Sequence, residues 1–139
     1  MLFRSVALKF LPEHLTSTEA EQARFLQEAQ AAATLNHPNI CTIHAVGEAD
    51  VPGAGHQRFI DMEFVDGGTL GDTLRAHGPV SPERALALAT ATAGALEGIH
   101  RAGSVHGGVT PDAVLISREG WSKLTTLRGG QAQIGRAHV

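Results

Sequence analysis

The sequence predicts an α+β fold, with strands concentrated in its first half and helices in its second. Three observations carry that prediction. Residues 6–11, VALKFL, are apolar and β-branched around one lysine, the composition of a buried strand. Residues 58–65, RFIDMEFV, repeat the signal after a stretch rich in Pro and Gly. Residues 18–35 and 81–102 have helical periodicity, each opened by a hydroxyl residue and closed by a helix breaker.

Composition narrows the class. The 139 residues are 42% hydrophobic and 18% charged with a formal net charge of −3, which suits one soluble unit and lacks the basic surface that nucleic acid requires. Cys41 is the sole cysteine, so there is no intrachain disulfide and no Cys/His metal cluster. The eight histidines are scattered, without the paired i, i+4 spacing of zinc proteases, so no metal site is expected. No apolar run approaches the roughly 18 residues that span a bilayer, and the first ten residues lack a signal-peptide layout. A cytoplasmic location and no membrane segment are therefore expected.

Both ends resemble translated frames of a widely used sequencing adapter, MLFRS at the start and IGRAHV at the finish. Residues 1–5 and 134–139 are accordingly expected to be non-native, with native sequence running from about residue 6 to 132. A natural short protein with a loose tail is the alternative.

Taken in order, the elements carry their own signals. Lys9 inside the first strand leaves two readings open: an edge lysine facing solvent, or a buried ammonium that needs a carboxylate or phosphate nearby. Thr16-Ser17-Thr18-Glu19 has the pattern of a capping box, with Glu19 reaching back, and predicts a helix start near Thr18. That helix carries Ala20, Ala23, Phe25, Leu26, Ala29, Ala32, Ala33 and Leu35 and is ended by Asn36-His37-Pro38. Glu28 lies mid-helix beside the apolar stripe, although a solvated position is the commoner fate of a helix glutamate. Residues 40–46 read as a strand with Cys41 as a small packing residue, and 50–55 as a turn.

Residues 69–76 form a short predicted helix ended by His77-Gly78-Pro79. Ser81-Pro82-Glu83 then combines a hydroxyl N-cap, a first-turn proline and an acid at the positive helix end. In that second long helix Leu86, Ala89, Ala93, Leu96 and His100 fall together in projection, and Gly103 suits a C-terminal cap. Residues 114–116 and 121–124 read as a strand pair joined by 117–120.

VALK followed by RFLQEAQAAATLNHPNICTIHAVGE resembles the third strand, C helix and fourth strand of bacterial serine/threonine protein kinases, with nineteen residues from Lys9 to Glu28. The resemblance covers nearly all of residues 6 to about 130. It implies a partial protein kinase-like two-lobe fold over 6–132. The small-lobe part, 6–65, would hold some of the antiparallel sheet and the C helix. The large-lobe part, 66–132, would hold the first helices and the catalytic-loop hairpin. It also implies a glycine-rich loop before this stretch and an activation segment after it.

By that resemblance Lys9 holds the α and β phosphates of ATP and pairs with Glu28. Ala7 packs on one adenine face, Met62 is the gatekeeper behind the base, Glu63 and Val65 offer backbone hydrogen bonds to its edge, and Leu115 supports it from below. Gly67 and Gly68 mark the crossing between lobes.

The catalytic loop departs from the family. Where kinases read H-R-D-x-K-P-x-N, this chain reads His106, Gly107, Gly108, Val109, Thr110, Pro111, Asp112, Ala113. Gly108 replaces the aspartate base, Thr110 the lysine that neutralises the transferred phosphoryl group, and Ala113 an asparagine that holds magnesium. Thr126-Leu127-Arg128 stands where D-F-G belongs, eighteen residues after Gly108, so Thr126 lacks the second metal carboxylate. His106 and Leu127 keep apolar packing positions, and Asp112 lies where the family faces away from the reaction.

The expectation is a pseudokinase, with ATP as ligand, magnesium poorly held, and a protein partner. One alternative is an active serine/threonine kinase using atypical catalytic residues on a protein substrate. The other is an interaction module independent of nucleotide.

Overall fold

The computed structural model describes residues 5–11 and 18–126 together with the backbone of 134–138. Thr16, Ser17 and Leu127, singled out above, lie outside the described residues. The chain divides into two units. The first comprises 1–34, 42–64 and 127–139, and the second 35–41 and 65–126.

The first unit is an antiparallel sheet with one helix. Its strands are β1 (Ser5–Phe10), β2 (Ile43–Val51), β3 (Gly55–Glu63) and, last in the chain, β6 (Ile134–His138), in the order β2-β3-β1-β6. Strand β1 is central, pairing with β3 on one side (Ala7 opposite Met62, Lys9 opposite Ile60) and with β6 on the other. Strand β2 begins at Ile43 rather than at residue 40, because Ile40 bridges to Leu124 in the second unit's own hairpin and Cys41 donates its amide to the Leu124 carbonyl at 2.9 Å. Cys41 is buried, as its packing role requires. The predicted turn at 50–55 is shorter in the structure, since β2 runs on to Val51 and β3 starts at Gly55.

Helix α1 (Glu19–Ala33) is capped by Thr18, whose Oγ1 accepts the Glu21 amide at 3.2 Å while Glu21 Oε2 accepts the Thr18 amide at 3.2 Å. The capping acid is therefore Glu21 and not Glu19, because it must stand three residues after the cap. The helix stops at Ala33, where the Thr34 amide turns back to the Ala31 carbonyl. Ala29 and Ala32 are its buried residues.

The second unit is built around two helices and a short hairpin. Helix α2 (Leu70–His77) has its own capping box between Thr69 and Asp72. Helix α3 (Pro82–Arg101) is capped by Ser81, whose Oγ accepts the Arg84 amide at 3.2 Å, and ends before Gly103. Gly103 has φ +80°, the left-handed conformation that closes helices at low cost to glycine. A single-turn 3₁₀ segment (Pro111–Ala113) leads into β4 (Val114–Ile116), which pairs antiparallel with β5 (Ser122–Leu124).

The buried face of α3 differs from the predicted one. Leu88, Ala95 and Ile99 are buried, whereas Leu86 is 69% exposed and Ala89, Ala93 and His100 are also exposed. The helix is apolar on more than one side, so period alone could not choose between faces. Gly94 and Gly98 sit on the side where His37 packs, a ring that would meet an added Cβ at 3.7 Å and 3.4 Å respectively. Ile40, Ala95, Ile99, Val114 and Leu124 form this unit's core, with Leu35, Leu70, Leu96 and Ala113 partly buried against it. Each large aliphatic side chain there contributes about 1.5–3 kcal/mol of burial free energy. Among the described residues no helix is long and apolar enough to cross a membrane.

Candidate functional site

In the first unit the β1–β3 register sets the site. Opposed residues share a face and alternate residues return to it, so Ala7, Lys9, Ile60 and Met62 project to one side of the sheet. Ala7, Ile60 and Met62 are buried there, and Lys9 is half-buried. Burial pushes the Lys9 ammonium below the ordinary lysine range, since the charged form loses hydration. An anionic phosphate beside it would favour the charge.

Glu28 is placed elsewhere. Its carboxylate accepts from Arg24 Nε at 3.1 Å on the exposed side of α1, with 55% of its side chain in solvent. The structure thus brings Ala7, Lys9 and Met62 together and gives Glu28 a different partner from the lysine that the kinase resemblance implied. The physical reason is local: a pair four residues apart on a solvated helix face forms without desolvating either charge.

Glu63, at the end of β3, is tied to Thr42 twice. Its amide donates to the Thr42 carbonyl at 2.8 Å, and its Oε1 accepts the Thr42 amide at 3.1 Å. The Glu63 amide is therefore already used within the sheet.

In the second unit the segment after β3 is strapped to β4. The Ile116 amide donates to the Gly68 carbonyl at 2.8 Å, and an added Cβ at Gly67 would stand 2.0 Å from the Ile116 carbonyl oxygen. A side chain at 67 is excluded by this close approach, which gives the predicted crossing glycine a packing reason. Val65 is half-buried, and Leu115 is 9% exposed with a backbone bridge to Thr69.

The loop from Gly107 to Ala113 is held from within. His106 is 6% exposed; its Nε2–H donates to the Thr125 carbonyl, and its Nδ1 accepts the Gly108 amide at 3.1 Å. Downstream, the Ala113 amide donates to Thr110 at 3.0 Å and the Thr125 amide to Ala113 at 2.8 Å. Asp112 Oδ1 accepts from Arg75 Nη2 at 3.0 Å and from Thr69 Oγ1 at 3.5 Å. Sequence reading identified Asp112 and His106 but missed Arg75 and Thr69. The only local sign of them was the Thr69-x-x-Asp72 capping pattern.

The four altered positions carry little chemistry. Gly108 has no side chain, and Thr110 presents an exposed hydroxyl. Ala113 packs its methyl against the unit's core, and the Thr126 hydroxyl is buried with no hydrogen-bond partner among the described residues. A methyl and one neutral hydroxyl do not make a magnesium site, because that ion requires a set of hard, mostly anionic oxygens. The apolar depression along α3, lined by Ala93, Leu96, Glu97, His100 and Arg101, contains none of these residues.

Residues 3–127 match the protein kinase domain family. The chain belongs to that family. It is 41% identical over 116 residues to serine/threonine-protein kinase PknB of Mycobacterium tuberculosis, an alignment covering 84% of this chain and 18% of that protein. It is 40% identical over 117 residues to PknB of Mycolicibacterium smegmatis, covering 84% and 19%. With PknE of Mycobacterium tuberculosis it shares 36% over 121 residues, covering 87% and 20%. The chain thus spans about a fifth of the length of these curated kinases. As a kinase-domain chain it shows the α+β elements of a partial kinase fold.

Proposed function

We propose that this kinase domain is a pseudokinase: it binds ATP through Lys9, transfers phosphate poorly or not at all, and serves as a regulatory or scaffolding module for a protein partner in the cytoplasm. The observation that carries the proposal is the loop. Its backbone course is maintained by His106 and the β4–β5 hairpin, while Gly108, Thr110, Ala113 and Thr126 provide no base, no cation and no metal carboxylate. Phosphoryl transfer relies on positioning and charge neutralisation, so removing all of these groups removes most of its catalysis.

Nucleotide binding draws on other residues. Lys9 supplies the ammonium for phosphate, and Ala7 and Met62 line the same sheet face as the apolar contacts for adenine. Glu63, Val65 and Leu115 are the remaining candidates, with Glu28, whose Oε1 accepts from Arg24, the candidate partner of Lys9. When bound, ATP would supply phosphates as anionic contacts for the Lys9 ammonium.

An atypical active kinase would need a replacement base. Asp112 is the one carboxylate in the loop, and its Oδ1 is engaged by Arg75 and Thr69. That engagement favours the pseudokinase.

The test is ATP binding to the full-length protein by thermal shift and calorimetry, with and without magnesium, alongside Lys9→Ala. Binding that persists without magnesium and is lost in Lys9→Ala supports the reading. No ATP binding under either condition would replace it with a nucleotide-independent interaction module.

A further inference from the structure

The loop retains an ordered course although three of its family side chains, at 108, 110 and 113, have been exchanged for small ones. His106 holds its start, and the arrangement around Gly71 offers a second contact at its far end. Gly71 is buried in the first turn of α2, and a Cβ built on it would lie 2.0 Å from Asp112 Oδ1 and 2.9 Å from its carboxyl carbon. The carboxylate of Asp112 occupies the space that a side chain at 71 would need.

From that seat Asp112 reaches two donors on α2 and its cap, Arg75 Nη2 at 3.0 Å and Thr69 Oγ1 at 3.5 Å. The same Arg75 nitrogen donates to Asp72 Oδ1 at 2.8 Å, and Asp72 Oδ2 in turn accepts the Thr69 amide at 3.1 Å. One guanidinium therefore ties the capping box of α2 to the 3₁₀ turn of the loop. We infer that Asp112, Arg75 and Thr69, closing over Gly71, form a clamp that positions the loop from Gly107 to Ala113 in place of the side chains it lacks.

The clamp is local in its effect. Its ion pair is largely solvated, with 63% of each side chain exposed, so its contribution to global stability is small. Its contribution to loop position is larger, because a Cβ at 71 would take the space of the same Asp112 Oδ1 that meets both donors. Asp112, Arg75 and Thr69 are thus positioning residues, and the inference is independent of whether ATP binds.

Hydrogen exchange of individual amides in the full-length protein tests this, read at Ala113 and Thr125 and compared with the interior of α3. Gly71→Ala and Asp112→Ala are each expected to speed exchange at Ala113 and Thr125 by roughly tenfold, with α3 unchanged. The double variant is expected to exchange no faster than either single one, because Asp112→Ala removes the atom that Gly71→Ala displaces. Additive acceleration, no acceleration in the loop, or equal acceleration throughout the molecule would overturn the clamp. Should Gly71→Ala fail to fold, Arg75→Ala and Asp112→Ala decide on the same readout. Equal and non-additive acceleration supports the clamp, and additive or absent acceleration overturns it.

Discussion

His106 hangs the altered loop from Thr125: its Nε2–H donates to the Thr125 carbonyl while its Nδ1 accepts the amide of Gly108. Both ring nitrogens are used, so the imidazole cannot be exchanged for an aliphatic residue of similar size without losing both contacts. His106→Ala leaves a part-buried carbonyl and a part-buried amide without this partner and opens a cavity where the ring was buried. It is expected to lower stability by about 2–4 kcal/mol, measured by urea unfolding. A loss under 0.5 kcal/mol would show that the loop does not depend on this ring.

Gly47 on β2 faces the ring of Phe59 on β3, the residue opposite it in register. A Cβ at Gly47 would fall 2.5 Å from Phe59 Cζ, so Gly47→Ala must displace the ring. Phe59 also packs on Phe10 with ring centroids 6.0 Å apart, so the displacement disturbs both strands beside β3. The expected cost is about 1–3 kcal/mol in thermal or urea unfolding, and Gly47→Ala combined with Phe59→Leu should recover part of it.

The β2–β3 hairpin carries a pH dependence near its tip. His56 Nδ1 lies 2.9 Å from Asp50 Oδ1 and its Nε2 lies 3.2 Å from Glu48 Oε2, with Arg58 Nε 2.7 Å from Glu48 Oε1. The hydrogen bond with Asp50, then that with Glu48, raises the His56 pKa, while His56 and Arg58 lower that of Glu48. A raised histidine pKa stabilises the hairpin fully below the ordinary histidine value and loses that support as pH climbs through the folded value. A lowered glutamate pKa does the reverse, losing its support as pH falls through the folded value. Hairpin amides should therefore be best protected between the ordinary glutamate and histidine values and exchange faster, after correction for intrinsic rates, as pH rises past the raised folded value of His56. His56→Gln should flatten the alkaline side of that profile, and an unchanged profile would contradict the assignment.

Much of the fold was legible because its signals are local. Ser81 with Pro82, Gly78 with Pro79, and Gly103 each announce a helix end within a few residues, and the structure places ends there. The face of α3 was not legible, because the helix carries more than one apolar stripe and the packing of Ile40 and Leu124 on Ala95 and Ile99, with His37 beside Gly94 and Gly98, is set by residues distant in sequence. Glu28 shows the same limit on a smaller scale. Its position along the chain matches a kinase C-helix acid, but which base it meets depends on where Arg24 and Lys9 lie in space. The Arg75 and Asp112 contact joins residues 37 positions apart, beyond the reach of any capping or periodicity argument.

The central claim is that a kinase frame persists here without kinase chemistry, and phosphate transfer tests it most directly. Full-length protein would be incubated with γ-labelled ATP and magnesium or manganese, with and without a generic protein substrate, beside Lys9→Ala. The account predicts no label above background on either the protein or the substrate, and no difference between wild type and Lys9→Ala. Label incorporated by wild type and lost in Lys9→Ala would contradict it.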